Sequence, residues 1–225
     1  MGIGLVPAEA NTLGGESTRQ RPVAIAVMAK APIAGYAKTR LIPALGAGGA
    51  ARLHRQLTLR TLATARAANL GPVTLWCAPD TGHRFFRAAR MKFLLELRAQ
   101  GGEELGARMA GIFAANDGSP LILIGTDCPA LEETHLHAAA RALRDGNDAA
   151  FVTTEDGGYF LIALRKPLPE LFIDIDWSTD RVMAQTRQRL SGLGLRWQEV
   201  ATLWDVDRPE DISRWRLLQG NQSDI

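Results

Sequence analysis

Asp127 lies just past the end of four large aliphatic residues, Leu121 to Ile124, with Gly125 and Thr126 between. A short apolar run bounded by turn residues predicts a strand that is buried on both faces of a parallel sheet. Open α/β sheets bind ligands at the carboxyl ends of such strands, and an unpaired carboxylate is costly to bury. The position therefore favours a carboxylate that holds a divalent cation against phosphates. The alternative is that Asp127 caps a helix that begins near Glu132.

Three cations, Lys30, Lys38 and Arg40, lie on a loop that follows another apolar run, 23–29. The loop also contains Gly35 and two prolines, which exclude a regular helix. Cations placed directly after the first strand of a parallel sheet are suited to bind a diphosphate or a triphosphate. A solvated basic turn is the alternative.

Two other nucleotide motifs fit this region poorly. A phosphate-binding P-loop needs glycine immediately before the lysine, but Ala37 precedes Lys38. A glycine pattern that starts at Gly46 resembles a dinucleotide-binding pattern, but it follows Pro43 rather than a strand. A dinucleotide-dependent oxidoreductase is kept as a minor alternative because Asp80 stands at about the right distance to bind a ribose.

An acidic pair followed by two glycines precedes a further aliphatic run: Glu155, Asp156, Gly157 and Gly158. Adjacent glycines let the backbone approach a ligand closely, and they equally suit a plain hairpin turn. The charged pair and the aromatic Tyr159 that follows favour a substrate loop.

Two aspartates near the end of the chain, Asp205 and Asp207, alternate, so in an extended segment their side chains point the same way. Asp207 is interpreted as a second metal ligand opposite Asp127 or, alternatively, as a helix cap. Pro209 is expected to open the final helix at its first position.

Three further side chains are interpreted from their positions. Trp177 could wall a pocket or simply pack, and Ser178 is a suitable N-cap for a helix over 179–190. Arg108, on an amphipathic helix, could contact a ligand or lie on the surface.

Alternating strands and helices predict an α/β fold for residues 22–220, as one domain after a disordered leader at 1–21. Predicted strands are 23–29, 73–78, 92–97, 121–124, 149–153, the run after 158 and 195–202. Predicted helices are 46–69, 83–90, the segment from 101 to 117, 132–144, 179–190 and the segment from 209.

The composition is that of an ordinary globular protein of 225 residues, with 46% hydrophobic and 22% charged residues. A net charge of +2 gives no argument for binding nucleic acid or a membrane surface. Cys77 and Cys128 are predicted to be buried and reduced. The absence of an apolar span or signal peptide predicts a cytoplasmic location.

Six segments occur in an order that carries a family resemblance: MAKAPIAGYAKTRLIPALG, LGARM, LIGTDCPAL, EDGGYFLIAL, WSTD and DVDRPED. Together they resemble the small bacterial nucleotide-diphospho-sugar transferases labelled glycosyltransferases of arsenosugar biosynthesis, formerly a domain of unknown function. More distantly they resemble the guanylyltransferases that activate phospholactate. The resemblance covers about residues 22–217 and implies a GT-A fold, a mixed and mostly parallel sheet between helices.

The resemblance also implies roles for individual residues. A nucleotide site would contain Lys30, Gly35, Lys38, Arg40 and Thr126. A magnesium or manganese ion would be bound by Asp127 and Asp207, and the acceptor by Gly157, Gly158 and Trp177, with Asp156 or Glu155 as catalytic base. The chain departs from its relatives at Thr153-Thr154 and Ala163, and Pro129 replaces the last acid of an Asp-x-Asp motif.

The leading hypothesis is therefore a metal-dependent glycosyltransferase that uses a nucleotide-sugar donor and a small-molecule acceptor. The alternatives are a nucleotidyltransferase that uses a nucleoside triphosphate, and a catalytically silent nucleotide-binding domain. A homodimer is one possible assembly.

Overall fold

The computed structural model describes residues 21–220. The predicted disordered leader therefore lies, apart from Arg21, outside the described residues.

A seven-stranded sheet forms the centre of the described chain, in the order β3-β2-β1-β4-β6-β5-β7. Only β6 runs antiparallel to its neighbours β4 and β5, and the other pairs are parallel. The strands are β1 Ala24–Lys30, β2 Val73–Ala78, β3 Glu96–Ala99, β4 Leu121–Ile124, β5 Ala149–Thr154, β6 Tyr159–Leu164 and β7 Trp197–Leu203. This mixed, mostly parallel sheet confirms the predicted fold class.

Six α-helices connect or follow the strands: α1 Ile42–Ala67, α2 Arg84–Phe93, α3 Leu105–Ala114, α4 Glu133–Arg144, α5 Val182–Gly192 and α6 Asp211–Gly220. No helix within residues 21–220 combines the length and apolar character that a membrane crossing requires.

The sheet is buried on both faces, as the uninterrupted apolar strands predict. On one face, side chains of α1, α2 and α4 pack against Ile25, Val27 and Ile124. On the other face, α3 and α5 pack against Leu123 and Phe151. All four residues of β4 are buried, so this strand is held from both sides as the sequence predicts.

The predicted strand 92–97 is wrong at its beginning. Helix α2 continues to Phe93 and ends where Leu94 adopts a left-handed conformation with φ of 54°. The apolar residues of 92–97 therefore divide between a helix end and a short edge strand that begins at Glu96.

Ser178 does not cap a helix. It adopts a left-handed backbone conformation with φ of 65°, and α5 begins three residues later than predicted, at Val182, with Arg181 as its N-cap. Thr179 stabilises the turn instead, because its hydroxyl accepts a hydrogen bond from the backbone N–H of Arg181.

Helix α1 begins earlier than predicted, at Ile42, with Pro43 in its first turn. Proline is tolerated there because the first N–H groups of a helix have no intrahelical partner. Gly46 interrupts the helix with φ of 67°. The longer part of α1, after Gly46, corresponds to the predicted helix 46–69. The final helix begins later than expected, at Asp211 rather than at Pro209.

Candidate active site

A cavity of about 550 Å³ opens at the carboxyl ends of β1 and β4. Because β1 and β4 pair in parallel, the basic loop after β1 and the Asp127 loop after β4 leave the sheet at the same edge. The β5–β6 turn, the loop at 177–179 and the segment at 205–207 complete the walls. The structure therefore brings together segments that are far apart along the chain.

Lys38 lies at the centre of this wall and its side chain is only 4% exposed. Its ammonium is 2.9 Å from a carboxylate oxygen of Asp127 and 3.6 Å from one of Asp207. It also donates a hydrogen bond of 2.5 Å to the carbonyl of Val206. Lys38 thus joins the basic loop to both predicted metal ligands.

Arg40 is exposed, with 59% of its side chain accessible, and it forms an ion pair with Asp207. The Asp207 carboxylate faces these two cations rather than capping a helix. Asp211 accepts the hydrogen bonds from the backbone N–H groups of Asp207 and Arg208.

The carboxyl group of Asp127 is ionised. Burial is the largest single effect and favours the protonated form, but Lys38, His54 and Lys30 together outweigh it, so the pKa of Asp127 lies below its usual value. The adjacent Cys128 is buried and unpaired. Burial raises the pKa of its thiol to about 12, so Cys128 remains protonated.

Asp205 also faces the cavity, a role that the sequence analysis did not give it. Burial and the negative charge of Asp156 raise the pKa of Asp205 to about 6. Among the described residues, the cavity is thus lined by four aspartates and four cations: Asp127, Asp156, Asp205 and Asp207, and Lys30, Lys38, Arg40 and Arg108.

His54, on α1, lines the same cavity and was missed by the sequence analysis. The His54 residue is buried, with 5% of its surface exposed. Burial lowers the pKa of His54, although the negative charge of Asp127 opposes this effect. The polar residues His54, Thr58 and Thr61 share one buried face of α1, and this helical spacing was the signal available in the sequence.

The two candidate bases have different environments. Asp156 lines the cavity and accepts hydrogen bonds from the Thr154 hydroxyl and the Gly158 N–H. Glu155 points away from the main cavity wall and forms a two-point ion pair with Arg214, at 2.9 and 3.1 Å. The geometry favours Asp156 as the group that reaches a substrate.

The glycine pair forms the β5–β6 hairpin turn, so the plain-turn interpretation is correct for the backbone. Gly158 lines the cavity, whereas Gly157 does not. Gly157 has φ of 88°, and a Cβ there would lie 2.2 Å from the carbonyl oxygen of Asp180. Glycine is therefore required at position 157 so that the loop containing Asp180 can pack against the turn.

Trp177 both packs and lines the cavity. Its indole lies against the first turn of α3, where a Cβ on Gly106 would be 2.8 Å from the indole nitrogen. The ring also makes an edge contact with Tyr159 at 6.4 Å between centroids. The side chain therefore packs between Tyr159, at the start of β6, and the first turn of α3.

Of the remaining residues predicted to bind the nucleotide, some line the cavity and one does not. Lys30 and the buried Thr126 line the cavity, and Gly35 does not. Arg108 lines it as well, but two of its guanidinium nitrogens donate to the carbonyls of Gly102 and Glu103. Arg108 therefore orders the loop before α3 and keeps the rest of its guanidinium at the cavity.

The site fits a divalent cation whose coordination is completed by phosphates. Within residues 21–220, no group of three or more His, Cys, Asp or Glu side chains converges closely enough to hold an ion by itself. Mg²⁺ is commonly bound through one or two carboxylates together with substrate phosphates. Asp127 and Asp207 provide such carboxylates beside exposed cations.

A family model described as "uncharacterized protein conserved in bacteria" (DUF2064) matches residues 61–179. The chain belongs to this family. The matched DUF2064 segment contains Asp127, Asp156 and Trp177, and excludes the basic loop and Asp207. A comparison with curated protein sequences finds no match.

Solved structures with the same fold are transferases. A protein from Desulfovibrio desulfuricans G20, provisionally described as a nucleotide-diphospho-sugar transferase, is 27% identical with a TM-score of 0.74, over 83% of this DUF2064 chain and 82% of that one. The 4-diphosphocytidyl-2C-methyl-D-erythritol synthase of Anaerococcus prevotii DSM 20548 is 14% identical with a TM-score of 0.60, covering 88% and 96%. The glucosyl-3-phosphoglycerate synthase of Mycobacterium tuberculosis, solved with Mn²⁺ and UDP, is 10% identical with a TM-score of 0.54, covering 85% and 74%.

Proposed function

We propose that this protein is a metal-dependent glycosyltransferase that transfers a sugar from a nucleotide-sugar donor to a small-molecule acceptor. The observation that carries the proposal is the cleft itself: Asp127 and Asp207 face each other across the buried ammonium of Lys38. The first of the solved transferases compared above, at 27% identity, supports the nucleotide-sugar donor class.

The donor diphosphate would bind between the basic loop and the β4 loop. Arg40 is exposed at the cleft and Lys30 lines it, so both can meet phosphate oxygens. Lys38 lies between Asp127 and Asp207 and holds one oxygen of each carboxylate, which leaves the other oxygen of Asp127 for the ion. Thr126 and Gly35 would shape the loops around the nucleotide. A Mg²⁺ or Mn²⁺ ion bound by Asp127 and Asp207 would supply positive charge to the leaving diphosphate.

The acceptor would bind at the side of the cavity formed by Gly158 and Trp177. Asp156, which lines the cavity, would accept the proton of an acceptor hydroxyl as the hydroxyl oxygen bonds to the anomeric carbon. The bond from that carbon to the nucleoside diphosphate breaks, and the diphosphate leaves with the bonding electrons. Lys30 and Arg40 stabilise the charge that develops on it.

Nucleotidyl transfer is a second candidate. It is favoured by the similarity to the A. prevotii cytidylyl enzyme, 96% of whose chain is covered. In that reaction an acceptor phosphate would attack the α-phosphorus of a nucleoside triphosphate and pyrophosphate would leave. The arsenosugar and phospholactate resemblances correspond to these two branches of the proposal.

The experiment that tests both candidates is a product assay with the purified protein. It is incubated with Mg²⁺ or Mn²⁺, with nucleotide sugars or nucleoside triphosphates, and with a panel of sugar, phosphosugar and hydroxy-acid acceptors. Release of nucleoside diphosphate supports glycosyl transfer, and release of pyrophosphate supports nucleotidyl transfer. Metal-dependent nucleotide binding with neither product over the whole panel would indicate a silent binding domain and contradict the proposal.

A further inference from the structure

The hydrogen bonds of His54 define which ring nitrogen carries a proton. Its Nε2 lies 2.9 Å from the carbonyl oxygen of Lys30. A carbonyl only accepts, so Nε2 must carry the hydrogen and donate it. In the neutral ring, Nδ1 is then an unprotonated acceptor with its lone pair free.

This acceptor has no partner in the described structure although it is buried. The nearest ionisable group that faces it is Asp127, whose Oδ1 is 4.0 Å from Nδ1. The other oxygen of Asp127, Oδ2, is held by Lys38 at 2.9 Å. An imidazole lone pair and a carboxylate oxygen therefore face each other, both residues line the cavity, and neither atom can donate to the other.

Two facing acceptors require something positive or a shared donor between them. Divalent ions bind imidazole nitrogen and carboxylate oxygen at about 2.0–2.2 Å, so one ion can contact both atoms only if they lie within about 4.2 Å of each other. The observed 4.0 Å is inside this limit, and a shift of the Asp127 carboxylate by about 0.5 Å would give the roughly 3.5 Å between adjacent ligands of a tetrahedral ion. A water molecule that donates to both atoms is the simpler alternative. The proposed function favours the cation, because a divalent ion in such a cleft is commonly held by one or two carboxylates together with substrate phosphates.

We propose that His54 is a nitrogen ligand of the divalent cation in the cleft, through Nδ1, and that Oδ1 of Asp127 shares the same ion. The inference rests on the proposed function, which gives the ion its place against the nucleotide phosphates. Lys38 keeps Oδ2 of Asp127 and leaves Oδ1 for the ion. The carbonyl of Lys30, on β1, fixes the ring orientation, as outer partners of metal-bound histidines commonly do.

A nitrogen ligand gives the site a preference among cations. Mg²⁺ and Mn²⁺ both accept carboxylate, phosphate and water oxygens, but imidazole nitrogen is a better ligand for first-row transition ions than for Mg²⁺. Both ions can occupy the cleft, and a nitrogen ligand shifts its preference toward Mn²⁺. We expect Mn²⁺ to bind about tenfold or more tightly than Mg²⁺ in the presence of a nucleoside diphosphate.

The decisive experiment is pulsed electron paramagnetic resonance of the full chain with Mn²⁺ alone and with Mn²⁺ plus each of ADP, CDP, GDP and UDP. One histidine nitrogen should couple to Mn²⁺, and the coupling should change in protein grown with ¹⁵N-labelled histidine. This readout uses the unaltered chain, so it does not depend on a variant that folds. Bound Mn²⁺ without nitrogen coupling overturns the role of His54 and leaves the Asp127 site standing.

A matched pair of variants measures the contribution to affinity. His54→Gln keeps an N–H for the Lys30 carbonyl but removes the nitrogen lone pair, and should weaken Mn²⁺ binding about tenfold while changing Mg²⁺ binding less. His137→Gln replaces an exposed histidine outside the cavity and should change neither. Equal Mn²⁺ affinity in His54→Gln and the unaltered protein contradicts the proposal. If Mn²⁺ fails to bind in the presence of every nucleotide, both the role of His54 and the proposed metal-dependent function are overturned.

Discussion

At the scale of single residues, two cations two positions apart have different roles. Lys38 is buried, and its ammonium contacts Asp127, Asp207 and the Val206 carbonyl. Arg40 is exposed and contacts only the Asp207 carboxylate among the interactions described for it. The sequence predicts that both cations bind phosphate. In the structure, Lys38 instead holds the carboxylates of Asp127 and Asp207, whereas Arg40 is exposed and available to a ligand.

Replacing Lys38 by methionine should destabilise the fold, because two carboxylates lose their shared cation. We expect a loss of about 1–3 kcal/mol in the free energy of unfolding, reduced from the cost at a fully buried pair because both acids are partly exposed. Arg40→Met is the control and should cost less than about 1 kcal/mol. Urea unfolding of both variants measures the difference, and equal losses would contradict the supporting role of Lys38.

Asp127→Asn should abolish metal-dependent nucleotide binding while the protein stays folded. The side chain is 43% exposed, so the amide fits, and the buried ammonium of Lys38 keeps Asp207 and the Val206 carbonyl as partners. A neutral amide is a weaker ligand for a divalent ion than a carboxylate. Calorimetric titration with Mn²⁺ and UDP measures the loss, and circular dichroism checks the fold. Asp145→Asn, at an exposed position after α4, is the control, and unchanged affinity in Asp127→Asn would remove the metal assignment.

At the scale of elements, the β5–β6 hairpin forms the side of the cleft that we propose binds the acceptor. Its turn is held against the loop before α5, where the N–H of Met183 donates to the carbonyl of Gly157. The close approach of Gly157 to Asp180 leaves no room for a side chain. The conformation of this turn therefore determines where Asp156 and Gly158 lie in the cavity.

Gly157→Ala should destabilise the protein by about 2 kcal/mol or more, because alanine is strained at positive φ and its Cβ would overlap a carbonyl oxygen. Gly192→Ala is the matched control, since it lies at the end of α5 with no atom within 4 Å of the added carbon. That change should be neutral or slightly stabilising. Thermal unfolding of the two variants compares them, and similar melting temperatures would show that the turn can rearrange.

The start of β5 depends on an ionised carboxylate. Asp148 accepts hydrogen bonds from the backbone N–H of Arg196 and from the Arg165 side chain. These two interactions outweigh partial burial and hold the pKa of Asp148 below its usual value. The carboxylate thereby joins the ends of β5, β6 and β7.

Asp148 should therefore make stability depend on acid pH. Its folded pKa is depressed, so its contribution is present above the unfolded pKa of about 3.9 and is lost as pH falls through the lower folded pKa. Melting temperatures measured from pH 6 to pH 2.5 should fall less steeply in Asp148→Asn than in the unaltered protein. Parallel curves would assign the acid dependence to other carboxylates.

At the scale of the whole molecule, the cleft lies where the chain changes direction across the sheet. From β1 the chain moves outward to β2 and β3, then returns to place β4 on the other side of β1. Loops that leave β1 and β4 diverge above this point, and open α/β sheets bind ligands in such a crevice. The helices on both faces make the crevice rigid by packing against the strands below it.

A ligand that binds this crevice should stabilise the whole fold. At a hundredfold excess over Kd, binding adds about 2.7 kcal/mol, which corresponds to about 5–10 °C in Tm for a protein of this size. Thermal scans with Mn²⁺ and each nucleoside diphosphate measure the shift, and EDTA should reverse it. A shift that persists in EDTA would show that nucleotide binding does not require the ion.

Some features were predictable because their causes are local in sequence. Near neighbours in sequence determine the aliphatic run 121–124, the basic loop with its prolines and glycine, and the alternation of strands and helices. These features predicted the fold class and the edge of the sheet at which the candidate site lies. The boundaries at Leu94 and Ser178 were not predictable, because a left-handed conformation at a non-glycine residue depends on its packing.

Contacts between remote residues were decided only by the tertiary structure. Lys38 and Val206 are 168 positions apart, and Glu155 and Arg214 are 59 apart, so no local pattern indicates that they meet. His54 became a site residue only when α1 packed on the sheet and turned its ring toward Asp127. The sequence determined which chemical groups are available and at which edge, and helix packing on the sheet decided which of them face one another.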